Sequence, residues 1–144
     1  MQNHVVVRTC GECTLCCKLS AIQDLPKPAW SLCQFCKNNS CAVYSTRPKS
    51  CRDFTCSWLV DQNIPDNLRP DKIHMYATSG GEHIVNIRVD NDHPDAIDSQ
   101  GGKDLIEGYR SMGNHVLLIT KDCVKFICGH GREKPVKIQL DWVL

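Results

Sequence analysis

Nine cysteines crowd one short part of the chain, and their spacing constrains the fold more than any other feature of the sequence. They fall within forty-seven of the 144 residues, whereas Cys123 and Cys128 stand far downstream. Short spacings lower the entropy cost of closing loops between sulfurs, so cross-links or metal ions can order such a segment without a large apolar core. The clustered residues are Cys10, Cys13, Cys16, Cys17, Cys33, Cys36, Cys41, Cys51 and Cys56.

The spacing inside this cluster is typical of metal ligands. Zinc prefers four tetrahedral ligands at Zn–S distances of about 2.3 Å, and a Cys-x-x-Cys turn supplies two of them. Iron–sulfur clusters use comparable runs of cysteine. The adjacent pair Cys16 and Cys17 favours two metals in one neighbourhood, with one thiolate for each or one that bridges. We expect all nine cysteines to be ligands of zinc ions, with an iron–sulfur cluster as the alternative, and the sequence leaves the number of metals open.

A disulfide framework is the main alternative to metal ligation. The first residues lack the charged leader and long apolar run of a secretory signal, and the total of eleven cysteines is odd. We therefore expect a cytoplasmic protein with reduced thiols, in which clustered cysteines are more often metal ligands than disulfides. The apolar runs are too short to span a membrane, so we expect no membrane partner.

Two motifs of the cluster resemble those of a known family. Residues 10–17 contain Cys-x-x-Cys-x-x-Cys-Cys, and residues 41–54 read Cys-Ala-Val-Tyr-Ser-Thr-Arg-Pro-Lys-Ser-Cys-Arg-Asp-Phe. Both are similar to signatures of bacterial cysteine-cluster proteins described as having a zinc- or iron-chelating domain, with Val43 in place of isoleucine. The likeness covers about residues 10–60, including the ninth cysteine that is usual in one branch of the family. The resemblance implies a metal site but no particular reaction.

The charge distribution fits a negatively charged site near the cysteines. Residues 1–60 carry seven Lys and Arg against three acids, and residues 61–144 carry ten against thirteen. Two zinc ions held by eight thiolates would have a formal charge of about −4, which nearby cations would offset. We expect Arg47 and Arg52 to donate hydrogen bonds to sulfur, with Tyr44 packed beside the site; the alternative is that both arginines only cap and solvate a helix.

The remaining pattern predicts an α+β fold in two lobes, at residues 1–62 and 63–144, packed as one compact unit. The first is a cysteine-rich, metal-stapled lobe with short helices, and the second is a small antiparallel sheet with one covering helix. Thr46 as N-cap and Pro48 in the first turn predict a helix over residues 49–59 that carries Cys51 and Cys56. Other predicted helices cover residues 14–19 and 103–112, and predicted strands cover residues 73–78, 83–89, 115–120, 124–128 and 136–140, with a hairpin turn at residues 79–82.

Three functional hypotheses remain open from the sequence. The first is a metal-binding protein with a multinuclear zinc–thiolate site. The second is an iron–sulfur oxidoreductase or a protein-modifying enzyme; relatives of the resembling family are associated with flagellin lysine methylation, but the chain has no G-x-G-x-x-G loop. The third is a metal-stabilised binding module for a protein or nucleic acid, although the basic residues lack the aromatic interleaving of a nucleic-acid surface.

Downstream polar residues give weaker patterns. Cys123 and Cys128 are expected to be small buried side chains rather than half of a metal site. The sheet could bring the histidines His74, His83, His93 and His115 together, but scattered histidines on exposed strand faces are common, and we assign no catalytic role to any of them. The acidic loop from Asp90 to Asp98 lacks the glycine and the terminal glutamate of an EF-hand and is expected to be a solvated turn.

Overall fold

The computed structural model describes residues 8–10, 12–54 and 56–133. Within these residues the chain forms a mixed α+β fold with short helices and two sheets. The helices are α1 (Leu15–Leu19), α2 (Lys49–Asp53), α3 (Ser57–Val60), α4 (Pro70–Ile73) and α5 (Gln100–Ser111), with 3₁₀ turns at Tyr44–Thr46, Asp66–Leu68 and Pro94–Asp98. The strands are β1 (Cys36–Lys37), β2 (Ser40–Cys41), β3 (Met75–Gly81), β4 (Ile84–Val89), β5 (His115–Ile119) and β6 (Val124–Ile127).

A four-stranded sheet in the order β3-β4-β5-β6 forms the centre of the fold. β3 and β4 are antiparallel, as are β5 and β6, but β4 and β5 are parallel. The predicted wholly antiparallel sheet is therefore wrong at this one pair. The physical reason is α5, which lies between β4 and β5 in the sequence. A connection that contains a helix is long enough to return the chain to the end of the sheet at which β4 begins, so β5 can run parallel to β4.

The β3–β4 hairpin turns later than predicted. β3 continues through the predicted turn to Gly81, which pairs with Ile84, so that Glu82 and His83 form the tip. Gly81, at φ +121°, lies where the strand register shifts, and His83, at φ 58°, is the second residue of the tip; both have a positive φ, which glycine adopts readily. The strand predicted over residues 136–140 lies outside the described residues.

α5 follows its predicted position, although it begins three residues earlier. The Ser99 hydroxyl accepts a hydrogen bond of 3.0 Å from the backbone N–H of Gly102, which is the usual capping arrangement for a helix start. Gly102, Leu105 and Tyr109 are buried on one face of the helix. A Cβ atom at Gly102 would lie 2.1 Å from the carbonyl oxygen of Ala96, so glycine allows this close approach to the preceding turn.

The single helix predicted over residues 49–59 is wrong, because the chain divides it into α2 and α3. Phe54 is extended, at φ −68° and ψ 131°, and its ring packs edge-on against Tyr76 with 5.6 Å between centroids. The predicted N-cap Thr46 lies instead in a 3₁₀ turn, and Pro48 occupies the N-cap position of α2. Packing of Phe54 on β3 thus accompanies the break in the helix.

The main apolar cluster contains residues from both predicted lobes. Leu15 and Leu19 of α1 and Trp58 of α3 belong to the same buried cluster as Met75 and Ile87 of the sheet. The lobe boundary at residue 62 stays a prediction. No helix in the described ranges combines the length and the apolar character that crossing a membrane would require.

Candidate metal centre

The segment that carries the first four cysteines is a turn followed by α1. The backbone N–H of Cys13 donates to the carbonyl of Cys10 at 2.8 Å, and that of Cys17 donates to the carbonyl of Thr14 at 3.0 Å. Cys16 and Cys17 therefore lie side by side in the first turn of α1. All eleven cysteines of the chain are free thiols in the structure.

A small hairpin brings Cys36 and Cys41 opposite each other. The two cysteines pair across β1 and β2, which are joined by Asn38 and Asn39. Both asparagines are left-handed, at φ 51° and 58°. A two-residue loop with positive φ at both positions is the tight turn that suits the twist of a hairpin, and asparagine tolerates this conformation well. The local sequence thus fixes the register that places these two sulfur-bearing residues together.

Backbone hydrogen bonds connect this hairpin to α1. The N–H of Cys33 donates to the carbonyl of Cys17 at 2.9 Å, and the N–H of Cys36 donates to the carbonyl of Cys33 at 3.0 Å. Cys33 itself is buried. Two groups of cysteines that are separated in sequence are therefore held against each other by main-chain contacts.

The break between α2 and α3 separates the last two cysteines of the cluster. Cys51 lies within α2, where its thiol interacts electrostatically with those of Cys17, Cys33 and Cys41. Cys56 is buried at the N-cap of α3, and its thiol interacts with that of Cys10. In a continuous helix the positions of Cys51 and Cys56 relative to each other would be fixed. The break allows each of them to lie near a different set of cysteines.

The electrostatic interactions between thiols divide the nine cysteines into two groups that meet at Cys17, whose thiol interacts with those of both Cys10 and Cys16. In the first group, Cys16 and Cys56 interact with Cys10, and Cys16 also interacts with Cys13. In the second, Cys17 is hydrogen bonded to Cys36, and further interactions extend from these residues to Cys33 and Cys51. The hydrogen bond between Cys16 and Cys17 joins the groups. The groups are Cys10, Cys13, Cys16 and Cys56, and Cys17, Cys33, Cys36, Cys41 and Cys51.

Burial and hydrogen bonding push the thiol pKa values in opposite directions. Burial raises the pKa of Cys13 to about 11 and also raises the pKa of Cys56. The hydrogen bond between Cys16 and Cys17 raises the pKa of the former and lowers the pKa of the latter to about 7. Cys17 is thus the thiol that deprotonates most readily beside its neighbours, and a bound cation would be needed to ionise the more buried ones.

The nine cysteines lie near one another, but no three of their sulfur atoms in the described residues are as close together as those of a metal-bound site. Among the described residues, the one set of three metal-ligand atoms that lie within 4.8 Å of one another belongs to His74, Asp90 and His93 rather than to the cysteines. Tetrahedral zinc with bonds of about 2.3 Å holds its sulfurs about 3.8 Å apart. Metal binding to the cysteines would therefore have to close the loops further.

Lys27 is a residue at this site that the sequence analysis missed. Its side chain is buried, with 8% of the residue exposed, and its ammonium donates to three carbonyl oxygens, of Lys18, Ser20 and Pro28, at 3.1, 2.5 and 2.8 Å. Burial lowers the pKa of Lys27, whereas ionised thiols nearby would raise it; these belong to Cys33, Cys17, Cys16 and Cys51. No sequence pattern indicates this burial, because Lys27 lies between two prolines, which is typical of a surface turn.

The residues predicted to surround the sulfurs lie at the edge of the cluster. The Arg47 guanidinium stacks over the Tyr44 ring at 4.0 Å from its centroid and donates to the Tyr44 carbonyl at 3.0 Å. Its charge opposes the burial that raises the pKa of Cys10. Tyr44 is 53% exposed, and Arg52 is exposed on α2. The roles predicted for Arg47, Arg52 and Tyr44 stay predictions.

Cys123 and Cys128 flank β6 and make local contacts. The Cys123 sulfur lies 3.3 Å from the Thr120 hydroxyl, and the thiol of Cys128 donates to the carbonyl of Arg132 at 3.1 Å. Cys123 is exposed and Cys128 is only half-buried, so the expectation that both are buried side chains is wrong.

Comparisons of the chain with protein-family models, with curated proteins and with solved structures give no match. The likeness of residues 10–17 and 41–54 to the bacterial cysteine-cluster family therefore stays an expectation that rests on those two motifs.

Proposed function

We propose that the protein binds metal through its cysteine cluster, with zinc as the metal and all nine clustered cysteines as ligands or bridging partners. The donor set supports this, because soft thiolates favour zinc or iron–sulfur centres over magnesium or calcium. The free thiols also fit a reducing compartment such as the cytoplasm. The metal would order the cysteine-rich lobe, so that metal binding and folding of this part of the chain are one event.

The observation that carries the proposal is the buried ammonium of Lys27, which interacts electrostatically with the thiols of Cys33, Cys17, Cys16 and Cys51 when these are ionised. Carbonyl oxygens satisfy the three donors of its ammonium, but none of these partners carries a negative charge. A buried cation without a counter-charge costs several kcal/mol. A zinc ion with four thiolates carries a formal charge of about −2, which would supply the missing counter-charge next to Lys27.

The two groups of cysteines suggest how two metals would share the site. Cys10, Cys13, Cys16 and Cys56 form a set of four, which is the number that one tetrahedral zinc ion requires. The second group has five members, so one of them would bridge. The contact between Cys16 and Cys17 would then lie between the two ions, which agrees with the prediction of one thiolate for each metal.

The test is a metal and acid-labile sulfide analysis of protein purified without oxygen, together with its visible absorption spectrum. Two or three zinc ions per chain, without sulfide or colour, are the expected result. Matching amounts of iron and sulfide with a brown chromophore would overturn the zinc proposal and favour the iron–sulfur enzyme. A protein without bound metal would overturn the metal proposal itself.

A matched pair of variants tests the assignment of ligands. Cys16→Ser should lose metal, because it removes the thiolate at the junction of the two groups, whereas Cys123→Ser should keep the full metal content. The measurement is zinc per chain after gel filtration. Equal metal loss in both variants would contradict the division between clustered and downstream cysteines.

A further inference from the structure

A second set of metal-ligating side chains lies at one end of the β3–β4 hairpin, apart from the cysteines. His74 immediately precedes β3, and Asp90 immediately follows β4. The Asp90 N–H donates to the His74 carbonyl at 2.9 Å, which extends the pairing one step beyond Met75 and Val89. His74 ends α4 in the left-handed conformation, at φ 59° and ψ 32°. The sheet register therefore fixes the distance between these two residues.

A tight turn after β4 brings His93 to the same place. The His93 N–H donates to the Asp90 carbonyl at 2.9 Å, and the Asp92 N–H donates to Asp90 Oδ1 at 3.0 Å. Such a bond from an aspartate side chain to the backbone two residues later stabilises a turn. The His93 and His74 rings consequently meet, with 3.6 Å between their centroids. His74 and Asp90, at the open end of the hairpin, thus lie close to His93 in the following turn.

We propose that His74, Asp90 and His93 together bind a transition-metal dication of the zinc class. One ring nitrogen of each histidine and one carboxylate oxygen of the aspartate lie within 4.8 Å of one another. Ligands at about 2.1 Å from one ion are about 3.4 Å apart in a tetrahedral arrangement, so a small closing movement completes the site. Two imidazoles and one carboxylate suit zinc, iron(II), cobalt or nickel, whereas calcium and magnesium prefer oxygen ligands alone.

Carboxylates near the three residues favour a cation, and two lysines oppose it. The carboxylates of Asp95 and Asp71 act on His74, in addition to that of Asp90. The Lys18 ammonium pairs with Asp90 at 2.5 Å and also with Asp92, and Lys72 lines the cleft beside His74. Both hydrogen bonds that the described residues make to the Asp90 side chain end on Oδ1. A carboxylate has two oxygens, so Oδ2 can take the metal while Oδ1 keeps these partners.

A cleft beside His74 gives this site access to solvent. The cleft has a volume of about 380 Å³ and is lined by Asp95, Ser99 and Asp104 as well as by His74. Three protein ligands leave at least one position of a zinc-class ion for water or another small ligand. The site therefore differs from the cysteine cluster, where sulfur alone would fill the coordination positions.

Cobalt(II) is the probe that separates the two sites, because thiolate-bound cobalt absorbs strongly through sulfur-to-metal charge transfer and cobalt bound to imidazole and carboxylate does not. Full-length protein is first loaded with zinc, then dialysed against a weak chelator that empties the three-ligand site but leaves the thiolate-bound zinc, and finally titrated with Co²⁺ in zinc-free buffer. The wild type should bind one further ion without new charge-transfer absorption. His93→Ala should weaken that binding by more than about tenfold, since even loss of an outer partner of a metal ligand costs that much. His83→Ala, a histidine at the opposite end of the hairpin, should bind as the wild type does.

Equal uptake of the additional Co²⁺ by the wild type and His93→Ala, or no additional uptake by the wild type, would overturn the proposal. Lys18→Gln gives an independent test, because it removes the competing positive charge and should tighten Co²⁺ binding. Unchanged or weaker binding in that variant would contradict the site. Neither result depends on the cysteine cluster, whose own failure would appear as absent zinc in the purified protein.

Discussion

The cysteine-rich part of the chain and the sheet that follows it are ordered by different means. Helices and strands in residues 8–60 contain at most five residues each, whereas β3 has seven and α5 has twelve. Of the largest fully buried side chains, all but Leu19 belong to the sheet: Tyr76, Met75, Ile87, Leu117, Ile119, Val89 and Val116. Most of the fully buried core therefore belongs to the sheet, and the cysteine-rich part contributes few buried apolar side chains of its own.

This difference indicates what each part needs in order to fold. A short segment with few buried apolar side chains does not offset its loss of conformational entropy without cross-links or metal. The sheet buries enough apolar surface to do so by packing. Leu15, Leu19 and Trp58 connect the two, because they pack into the same cluster as the sheet residues. The comparison predicts that each part responds to a different perturbation.

Metal removal should have the largest effect, and it should be confined to the cysteine-rich part. Structural zinc contributes about 10 to 16 kcal/mol of binding free energy that is coupled to folding. Treatment with a zinc chelator should abolish amide protection over residues 10–60 and leave β4 and β5 protected. Hydrogen exchange with mass spectrometry measures both regions in one experiment. Equal protection before and after chelation would show that metal does not hold this part of the chain.

A cavity in the sheet should have the converse effect. Ile87 is fully buried at the centre of β4, so Ile87→Ala should lower the free energy of unfolding by about 2 to 5 kcal/mol. Zinc content should not change, because β4 carries none of the clustered cysteines. Urea denaturation gives the stability and metal analysis gives the content. Val60→Ala is the control, since Val60 is 65% exposed and should change stability by less than about 0.5 kcal/mol.

Lys27→Met tests whether the thiols near this lysine are charged. If a zinc–thiolate centre balances the charge of the Lys27 ammonium, the loss of this ammonium should lower the free energy of unfolding by about 1 to 3 kcal/mol and weaken zinc binding. If the thiols are neutral, replacing an unbalanced buried charge with an apolar side chain should raise stability. Thermal unfolding of the zinc-loaded variant and wild type distinguishes the two. Lys37→Met, in the exposed part of the β1–β2 hairpin, is the matched control.

The sequence predicted those features that depend on local spacing. It predicted the short helix α1, the β3–β4 hairpin and α5. It did not give the parallel pairing of β4 with β5, although a helix between two strands is itself a signal for parallel pairing. The break at Phe54 was missed because it accompanies packing against Tyr76, a contact between residues far apart in the chain.

For the candidate sites too, the sequence predicts residues that are close in the chain and misses those that only the fold brings together. The nine cysteines are predicted as ligands from the sequence alone, because their close spacing suits a metal site. Lys27 and the set of His74, Asp90 and His93 were not recognised, because their proximity depends on burial, on sheet register and on a left-handed residue at the end of α4. Of the histidines that the sheet could bring together, His74 and His93 do meet: their rings are in contact.

The smallest expected effect concerns Tyr109 on the buried face of α5. Burial raises the pKa of Tyr109 to about 12, whereas the unfolded value is about 10. Because the folded protein holds this proton more tightly, the resulting stabilisation is complete below pH 10 and is lost as the pH rises towards 12. An ultraviolet absorption titration should therefore show a late-ionising phase, which Tyr109→Phe reduces and which denaturant shifts to lower pH. A late phase of the same size in Tyr109→Phe would show that the face of α5 against the sheet is open to water, and the contrast between a packed sheet and a cysteine-rich region with little core of its own would lose its support at this helix.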